Sequence, residues 1–348
     1  MVILDSYKTP LLVFNHGVYV DGEIMFKVTI LGFDQAYASA ITGALDLFAL
    51  AGVTWQRMQG EPPSPFFDVQ IASINQRPVK CINQLQITSH IAIEEVTDTD
   101  LLLIPTIGGE INSVLDKNVA LLSHIRKHFL NNSDIASNCS GAFLLAEAGI
   151  LDGKQATTHW GYAAQFKRRY PQVLLRAEKM ITSDQNIYCA GGGMAWFDLA
   201  LLLIERYCGH DVATTTAKAH VIDLARGAQA AYANIRTKKY HQDPDILFIQ
   251  DWLDAHFSQR ITVNLLPELV NLTPRTFNRR FKKATEQNPL EYLQALRIEA
   301  AKKHLETSPD SIERIVNQVG YDDLSSFTRL FNRHTGLSPS QYAKKFKR

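Results

Sequence analysis

The sequence predicts a chain of two domains, a layered α/β domain followed by an all-α domain. Three observations carry this. The 348 residues exceed what one hydrophobic core usually organises. Strand-like and helix-like segments alternate from Phe26 to about Tyr207, the pattern of a parallel sheet covered by helices. The C-terminal part then holds two copies of a short amphipathic helix, a tight turn and a second helix. The expected division is an N-terminal extension at 1–24, the α/β domain at 25–210, a helical connector and linker at 211–245, and the all-α domain at 246–348.

In the first domain, Phe26–Leu31 reads as a strand ended by Gly32-Phe33-Asp34, and Ser39–Ala51 as a helix with Ile41, Leu45 and Phe48 inward. Phe67–Ser73 alternates as a strand, and Val79–Ile82 and Leu85–Thr88 are spaced to pair as a hairpin. Leu101-Leu102-Leu103-Ile104 is a continuous apolar run, typical of a strand buried on both faces. Gly108-Gly109-Glu110 opens a loop before a helix at Asn118–Asn131. A short strand, Asp134–Ser137, runs into Asn138-Cys139-Ser140-Gly141, and a helix follows through Ala148. A strand, a sharp turn bearing a nucleophile-type side chain and a helix form an elbow. The Cys139 thiol is therefore expected at a helix N-terminus, where the backbone dipole lowers its pKa. Downstream, Thr157-Thr158-His159-Trp160 supplies an imidazole.

Thr214–Ala233 is a helical stretch of small residues, in which Arg226 and Gln229 could brace the two domains. Thr237–Asp245 is polar and punctuated by Pro244, the best linker candidate. Ile246–Phe257 opens the second domain as a helix, with Ile249, Trp252, Leu253 and Phe257 inward.

The repeated pattern occupies Leu265–Phe281 and Ile312–Phe331. Asn271 and Gly320 stand at the turns, and both residue types tolerate the left-handed conformation of a helix exit. Thr273 and Asp322 or Asp323 are N-cap candidates, and Pro274 suits a first helical position. Pro267 is tolerable if its helix starts at about Leu265, because the missing N–H then has no partner to lose. Phe277 and Phe281, like Phe327 and Phe331, are four apart and face inward. The opposite face carries Arg275, Asn278 and Arg279 in copy one, and Ser325, Ser326, Thr328, Arg329 and Arg333 in copy two. Arginine forks match guanine edges, asparagine matches adenine, and hydroxyls take phosphates or bases. Between the copies Leu290–Leu305 reads as one helix with Leu293, Leu296, Ala300, Ala301 and Leu305 on one side. Such a spacer would fix two reading helices for major-groove faces roughly 34 Å apart.

The net charge of +1 hides an asymmetry. Residues 246–348 carry 16 Lys and Arg against 11 Asp and Glu, whereas the preceding residues carry 20 against 24. A basic end on a mildly acidic body suits a polyanionic partner at that end. Cys81, Cys139, Cys189 and Cys208 are scattered, without a CxxC or His-rich ligand spacing. That pattern argues against a metal site and against a disulfide framework, and fits a reducing cytoplasm. No apolar run approaches the ~18 residues of a membrane span. Met1–Ile24 lacks the apolar core of a signal peptide and reads as an extension before the first strand.

The tandem pattern, with its closing Gly336-Leu337-Ser338-Pro339-Ser340-Gln341-Tyr342, resembles the double helix-turn-helix domain of the AraC/XylS transcription regulators. Copy one departs from that pattern at Pro267, and at Glu286-Gln287-Asn288-Pro289 in place of the glycine-containing turn. Phe26 to about Tyr207 resembles the ThiJ/PfpI group of the class I glutamine-amidotransferase-like superfamily. Cys139 to Gly153 with Thr157-Thr158-His159-Trp160 is similar to the sensor half of GlxA-type AraC regulators, and Gly191–Ala195, Phe197–Leu201 and Ala225–Gln229 continue the likeness.

The resemblance implies a three-layer α/β, flavodoxin-like sensor domain ahead of the double helix-turn-helix. It implies a sequence-specific transcription regulator, an activator by analogy, that binds double-stranded DNA as a homodimer and works with RNA polymerase in the bacterial cytosol and nucleoid. A small-molecule effector would bind near Asp34, Gly108, Gly109, Cys139, Ser140, His159 and Trp160. An elbow cleft lined by backbone N–H groups would favour a carboxylate or other anion. No cofactor, metal or membrane is implied. Nor is catalysis, because Ser140 follows Cys139 where PfpI-type proteases carry His, and the carboxylate nearest the first strand is at best Asp34. The alternative is a cysteine-dependent amidase, protease or glyoxalase-like enzyme that uses Cys139 and carries a DNA-binding appendage.

Overall fold

The structure, a computed structural model, describes residues 18–20, 23–223, 229–232, 241–262 and 264–347. The chain divides into two units between residues 227 and 228.

The first unit is built on one eight-stranded sheet. Its strands are β1 (Val18–Val20), β2 (Glu23–Leu31), β3 (Phe67–Ser73), β4 (Ile91–Ala92), β5 (Leu101–Ile104), β6 (Asp134–Asn138), β7 (Ile181–Asp184) and β8 (Ile187–Ala190). They lie in the order β7-β8-β6-β5-β2-β3-β4, and β1 pairs antiparallel with the start of β2. All pairings from β8 to β4 are parallel, and only edge strand β7 turns back on β8. Helices α1 (Ala38–Ala49), α2 (Thr54–Gln59), α3 (Ile111–Lys117), α4 (Val119–Leu130), α5 (Ala142–Glu147), α6 (Ala163–Arg169), α7 (Trp196–Cys208) and α8 (His210–His220) complete the unit. All four residues of β5 are fully buried, as the unbroken apolar run requires of a strand covered on both faces. The expected hairpin forms, with Val79 opposite Ile87.

The stretch expected as a separate connector is divided instead. Helix α8 packs on α2 and α7, so its residues belong to the first unit. Buried Ala231, in the 3-10 turn Gln229–Tyr232, joins the apolar core of the second unit. Arg226 and residues 237–240 of the proposed linker lie outside the described residues.

The second unit contains α9 (Pro244–His256), α10 (Leu265–Glu268), α11 (Pro274–Thr285), α12 (Pro289–Thr307), α13 (Ile312–Gln318), α14 (Leu324–Thr335) and α15 (Pro339–Phe346). Helix α10 does begin at Leu265, so Pro267 sits in its first turn, where its missing N–H costs nothing. There are two apolar cores. One joins α9, α10 and α11 through Ile249, Leu253, Leu266, Phe277 and Phe281. The other joins α13, α14 and α15 through Ile315, Val316, Phe327, Phe331 and Tyr342. Helix α12 threads both, giving Tyr292 and Leu293 to the first and Ile298, Ala301 and Leu305 to the second.

The repeat has a period of 50 residues and extends past the reading helices. Tyr292 and Tyr342 meet Phe281 and Phe331 edge-on, each at 5.4 Å between ring centroids. Thr285 and Thr335 donate to Phe281 O and Phe331 O, and capping boxes at Asn288/Glu291 and Ser338/Gln341 start the next helices. The copies differ at the helix exit, where Glu286 holds φ 64° and its counterpart Gly336 φ 73°. A side chain in that conformation costs roughly 1 kcal/mol. Glu286→Gly should therefore raise the urea midpoint of the second unit, and Gly336→Ala should lower it.

A second consequence concerns acid stability. His128 on α4 is fully buried, and neither ring nitrogen has a hydrogen-bond partner among the described residues. Burial, helped by the nearby Lys127 and His124 charges, lowers its pKa to about 4. The folded ring stays neutral while the unfolded one protonates near pH 6.5. Stability is thus lost as pH falls from about 6.5 to about 4, by about 3 kcal/mol in total. Urea melts should show about 2 kcal/mol of that loss between pH 7 and pH 5 in the native chain, and a smaller loss in His128→Leu.

Candidate nucleic-acid interface and ligand pocket

The two reading helices are assembled as their residue types require. Thr273 Oγ1 accepts from Thr276 N at 3.3 Å, and Asp323, rather than Asp322, caps α14 by accepting from Ser326 N at 2.7 Å. Asn271 and Gly320 adopt φ 50° and 85° at the preceding turns. Gly320 is confined further, because a Cβ there would stand 2.7 Å from Ser258 O. Phe277, Phe281, Phe327 and Phe331 are all fully buried.

With those rings inward, Arg275, Asn278 and Arg279 on α11 are exposed, as are Ser325, Ser326, Arg329 and Arg333 on α14; Thr328 is half-buried. Lys282, Lys283 and Asn332 extend the same polar faces and were not among the expected readers, although their helical spacing already placed them there. In the 50-residue register Arg279 matches Arg329, and Lys283 matches Arg333. Among the described residues no ion pair engages Arg275, Arg279, Arg329 or Arg333. Arg280 behaves differently. Its guanidinium clasps both oxygens of Asp243 at 2.9 and 2.5 Å and reaches Asp245 at 2.8 Å.

In the first unit β3 lies on one side of β2 and β5 on the other, so the strand order reverses between β2 and β5. In open α/β sheets the crevice beyond the carboxyl ends at such a reversal is the usual ligand site. The segments that follow β2, β5 and β6 meet there. Gly108 N and Gly109 N both donate to Gln35 O, Tyr37 N donates to Thr106 O, and Ser140 Oγ donates to Ile107 O. Asn138 Nδ2 bonds Thr106 Oγ1 and Gly193 O. The two glycine N–H groups are thus consumed by protein and do not line an anion cleft.

The elbow is present, with Cys139 at φ 57°. Gly141 is required by close approach, since a Cβ would stand 2.6 Å from Pro105 O. The expected thiol activation is reversed. Cys139 is 4% exposed, and burial pushes its pKa up to about 11 despite hydrogen bonds from Ser140 and Thr106. A single 3-10 turn leading into the six-residue α5 supplies too little dipole to offset that desolvation. His159 is not placed as a base. Its Nδ1 accepts from Gly161 N at 3.0 Å, and burial lowers its pKa.

Asp34 accepts from Lys80 N at 2.9 Å and acts on Cys81. It borders a separate cavity of about 250 Å³, with Ser73, Arg77 and Lys117, that none of Cys139, Ser140, His159 and Trp160 lines. His159 packs at 5.1 Å from the Trp160 ring and 5.8 Å from that of Tyr162. Tyr162, whose pKa is raised mainly by burial, is also within electrostatic reach of Cys139 and Tyr37. Tyr37 and Tyr162 are each 39% exposed, so the elbow lies near partly exposed aromatic rings.

Among the described residues no group of three or more His, Cys, Asp or Glu is placed to hold a metal, and no helix is long and apolar enough to cross a membrane.

The two units match different families. A helix-turn-helix domain family matches residues 267–345, and the DJ-1/PfpI family matches residues 51–206. The chain is 26% identical over 272 residues to the HTH-type transcriptional regulator CdhR of Pseudomonas aeruginosa, covering 78% of this chain and 80% of that one. It is 25% identical over 201 residues to the HTH-type transcriptional regulator GlxA of Rhizobium meliloti, covering 58% and 62%. It is also 28% identical over 232 residues to isonitrile hydratase of Pseudomonas putida, covering 61% and 93%.

With a pKa of about 11, roughly one Cys139 thiol in several thousand is ionised at pH 7.5. Iodoacetamide at that pH should leave Cys139 unmodified in the native chain and alkylate it in urea, as read by peptide mass spectrometry. The chain thus joins a DJ-1/PfpI-family domain to a C-terminal AraC-type helix-turn-helix domain, the make-up of a DNA-binding transcriptional regulator.

Proposed function

We propose that this regulator reads two adjacent half-sites of double-stranded DNA with α11 and α14, under the control of a small molecule bound by the first unit. The observation that carries the reading is the repeated register: buried Phe pairs 50 residues apart, each backed by an exposed face with Arg279 or Arg329 in the same place. Arg275, Asn278, Arg279, Arg329 and Arg333 contact base edges. Ser325, Ser326, Thr328, Lys282 and Lys283 hold phosphates or add to the base contacts. The relatives named as transcriptional regulators support the same reading. It includes a homodimer and RNA polymerase as partners.

The effector site is the crevice at the strand-order reversal, bounded by Tyr37, Gly108, Cys139, Ser140, His159, Trp160 and Tyr162. Aromatic faces dominate that list, which suits a ligand with a flat or apolar body better than a bare anion. The second reading, an enzyme acting through Cys139, is favoured by the likeness to isonitrile hydratase. Against it stand the raised thiol pKa and the imidazole turned to Gly161 N.

Fluorescence anisotropy on promoter fragments tests the main reading. Arg279→Ala and Arg329→Ala should each cost about 1–3 kcal/mol of specific affinity and relax sequence preference at one half-site. Affinity should fall with added salt, with a slope of about 0.9 per phosphate neutralised. Equal affinity for all fragments in both variants and the parent would remove the assignment. Isonitrile turnover by the purified protein, abolished in Cys139→Ala, would establish the enzyme reading instead.

A further inference from the structure

The two reading helices sit in separate apolar cores, and α12 alone would join them as a rod free to twist. Helix α9 supplies a second tie, at both of its ends. At its start Asp243 and Asp245 clasp Arg280, a residue of α11 itself. Just beyond its end, Arg297 from α12 donates Nε to Phe257 O at 2.7 Å and a second nitrogen to Gln259 O at 2.8 Å. The same guanidinium lies 5.0 Å from the centre of the Tyr321 ring. Tyr321 in turn packs on Phe327 of α14, at 5.2 Å between centroids. Gly320 is held against Ser258 O so closely that no side chain fits between them. The nearby Arg260–Asp322 pair, at 3.9 Å and almost fully exposed, adds little.

We propose that Arg297 is a positioning residue for DNA recognition: by pinning the end of α9 to the turn of the second copy, it sets the rotation and spacing between α11 and α14. The fork is needed because two carbonyls and an aromatic face are engaged at once, which a lysine ammonium cannot reproduce. Arg297 itself touches no DNA in this scheme. It acts on the geometry with which two otherwise independent readers meet one duplex.

The proposal rests on the two-half-site reading, and the experiment separates the two. The full chain is titrated with three duplexes: an operator fragment footprinted with the parent protein, that fragment with one half-site scrambled, and that fragment with one base pair inserted or deleted between half-sites. The parent should lose tenfold or more on the shifted spacings. Arg297→Ala should bind the native spacing at least fivefold more weakly, bind the single half-site within twofold of the parent, and lose less than threefold on shifting the spacing. Arg297→Lys should fall between. Equal losses by Arg297→Ala on single and paired half-sites would mean general destabilisation and overturn the proposal, as would retention of the parent's spacing dependence. Asp243→Asn, which keeps an N-cap residue while weakening the Arg280 clasp, provides a second variant if Arg297→Ala does not fold, and should relax the spacing preference in the same way. A parent that binds no operator would sink the DNA reading itself, and this inference with it.

Discussion

The burial of two phenyl rings four residues apart, once in α11 and once in α14, is the constraint from which the rest of the DNA-binding unit follows. Each ring removed from water contributes roughly 2–3 kcal/mol. A helix with an inward stripe at this spacing has one orientation about its own axis that satisfies it. That orientation turns Arg279 and Arg329 outward at equivalent points. The Tyr292 and Tyr342 rings then close each core edge-on and fix where the next helix begins. Recognition chemistry on the outer face is therefore a by-product of packing on the inner one.

The same packing separates structural arginines from reading arginines. Arg280 and Arg297 carry the same fork as Arg279, yet their guanidinium groups are committed to Asp243 and Asp245, and to the carbonyls of Phe257 and Gln259. A fork engaged at two or three points is not free to explore a groove. The exposed guanidinium groups of the reading faces carry no comparable internal commitment among the described residues.

In the first unit, desolvation decides what the elbow can do. The turn at Cys139 keeps a left-handed backbone, which costs on the order of 1 kcal/mol or more for a residue with a side chain. At a strand-to-helix elbow such strain can serve to present a nucleophile, but here the thiol is closed off and protonated. Of the two groups expected to activate it, His159 accepts from Gly161 N, and Asp34 accepts from Lys80 N at a separate cavity. The elbow has kept its geometry without the electrostatics that would make its sulfur reactive.

Much of this was legible in the residues. The strand at Phe67–Ser73, the helix exits at Asn271 and Gly320, the cap at Thr273 and the inward phenylalanines follow from local rules, since periodicity and backbone preference act over a few residues. The capping boxes and the threonine-closed helix ends were not among the expected features, although the residues that form them recur 50 positions apart. What no local rule contains is the surroundings of a side chain once distant segments meet. The rise in the Cys139 pKa comes from burial beneath strands and loops remote in sequence. The use of the Gly108 and Gly109 N–H groups by Gln35 O depends on two loops that meet only across the sheet. The sequence by itself determined which faces are apolar and which are basic. Only the tertiary structure decided which polar groups remain available, because hydrogen bonding and desolvation depend on neighbours that the chain brings together by folding.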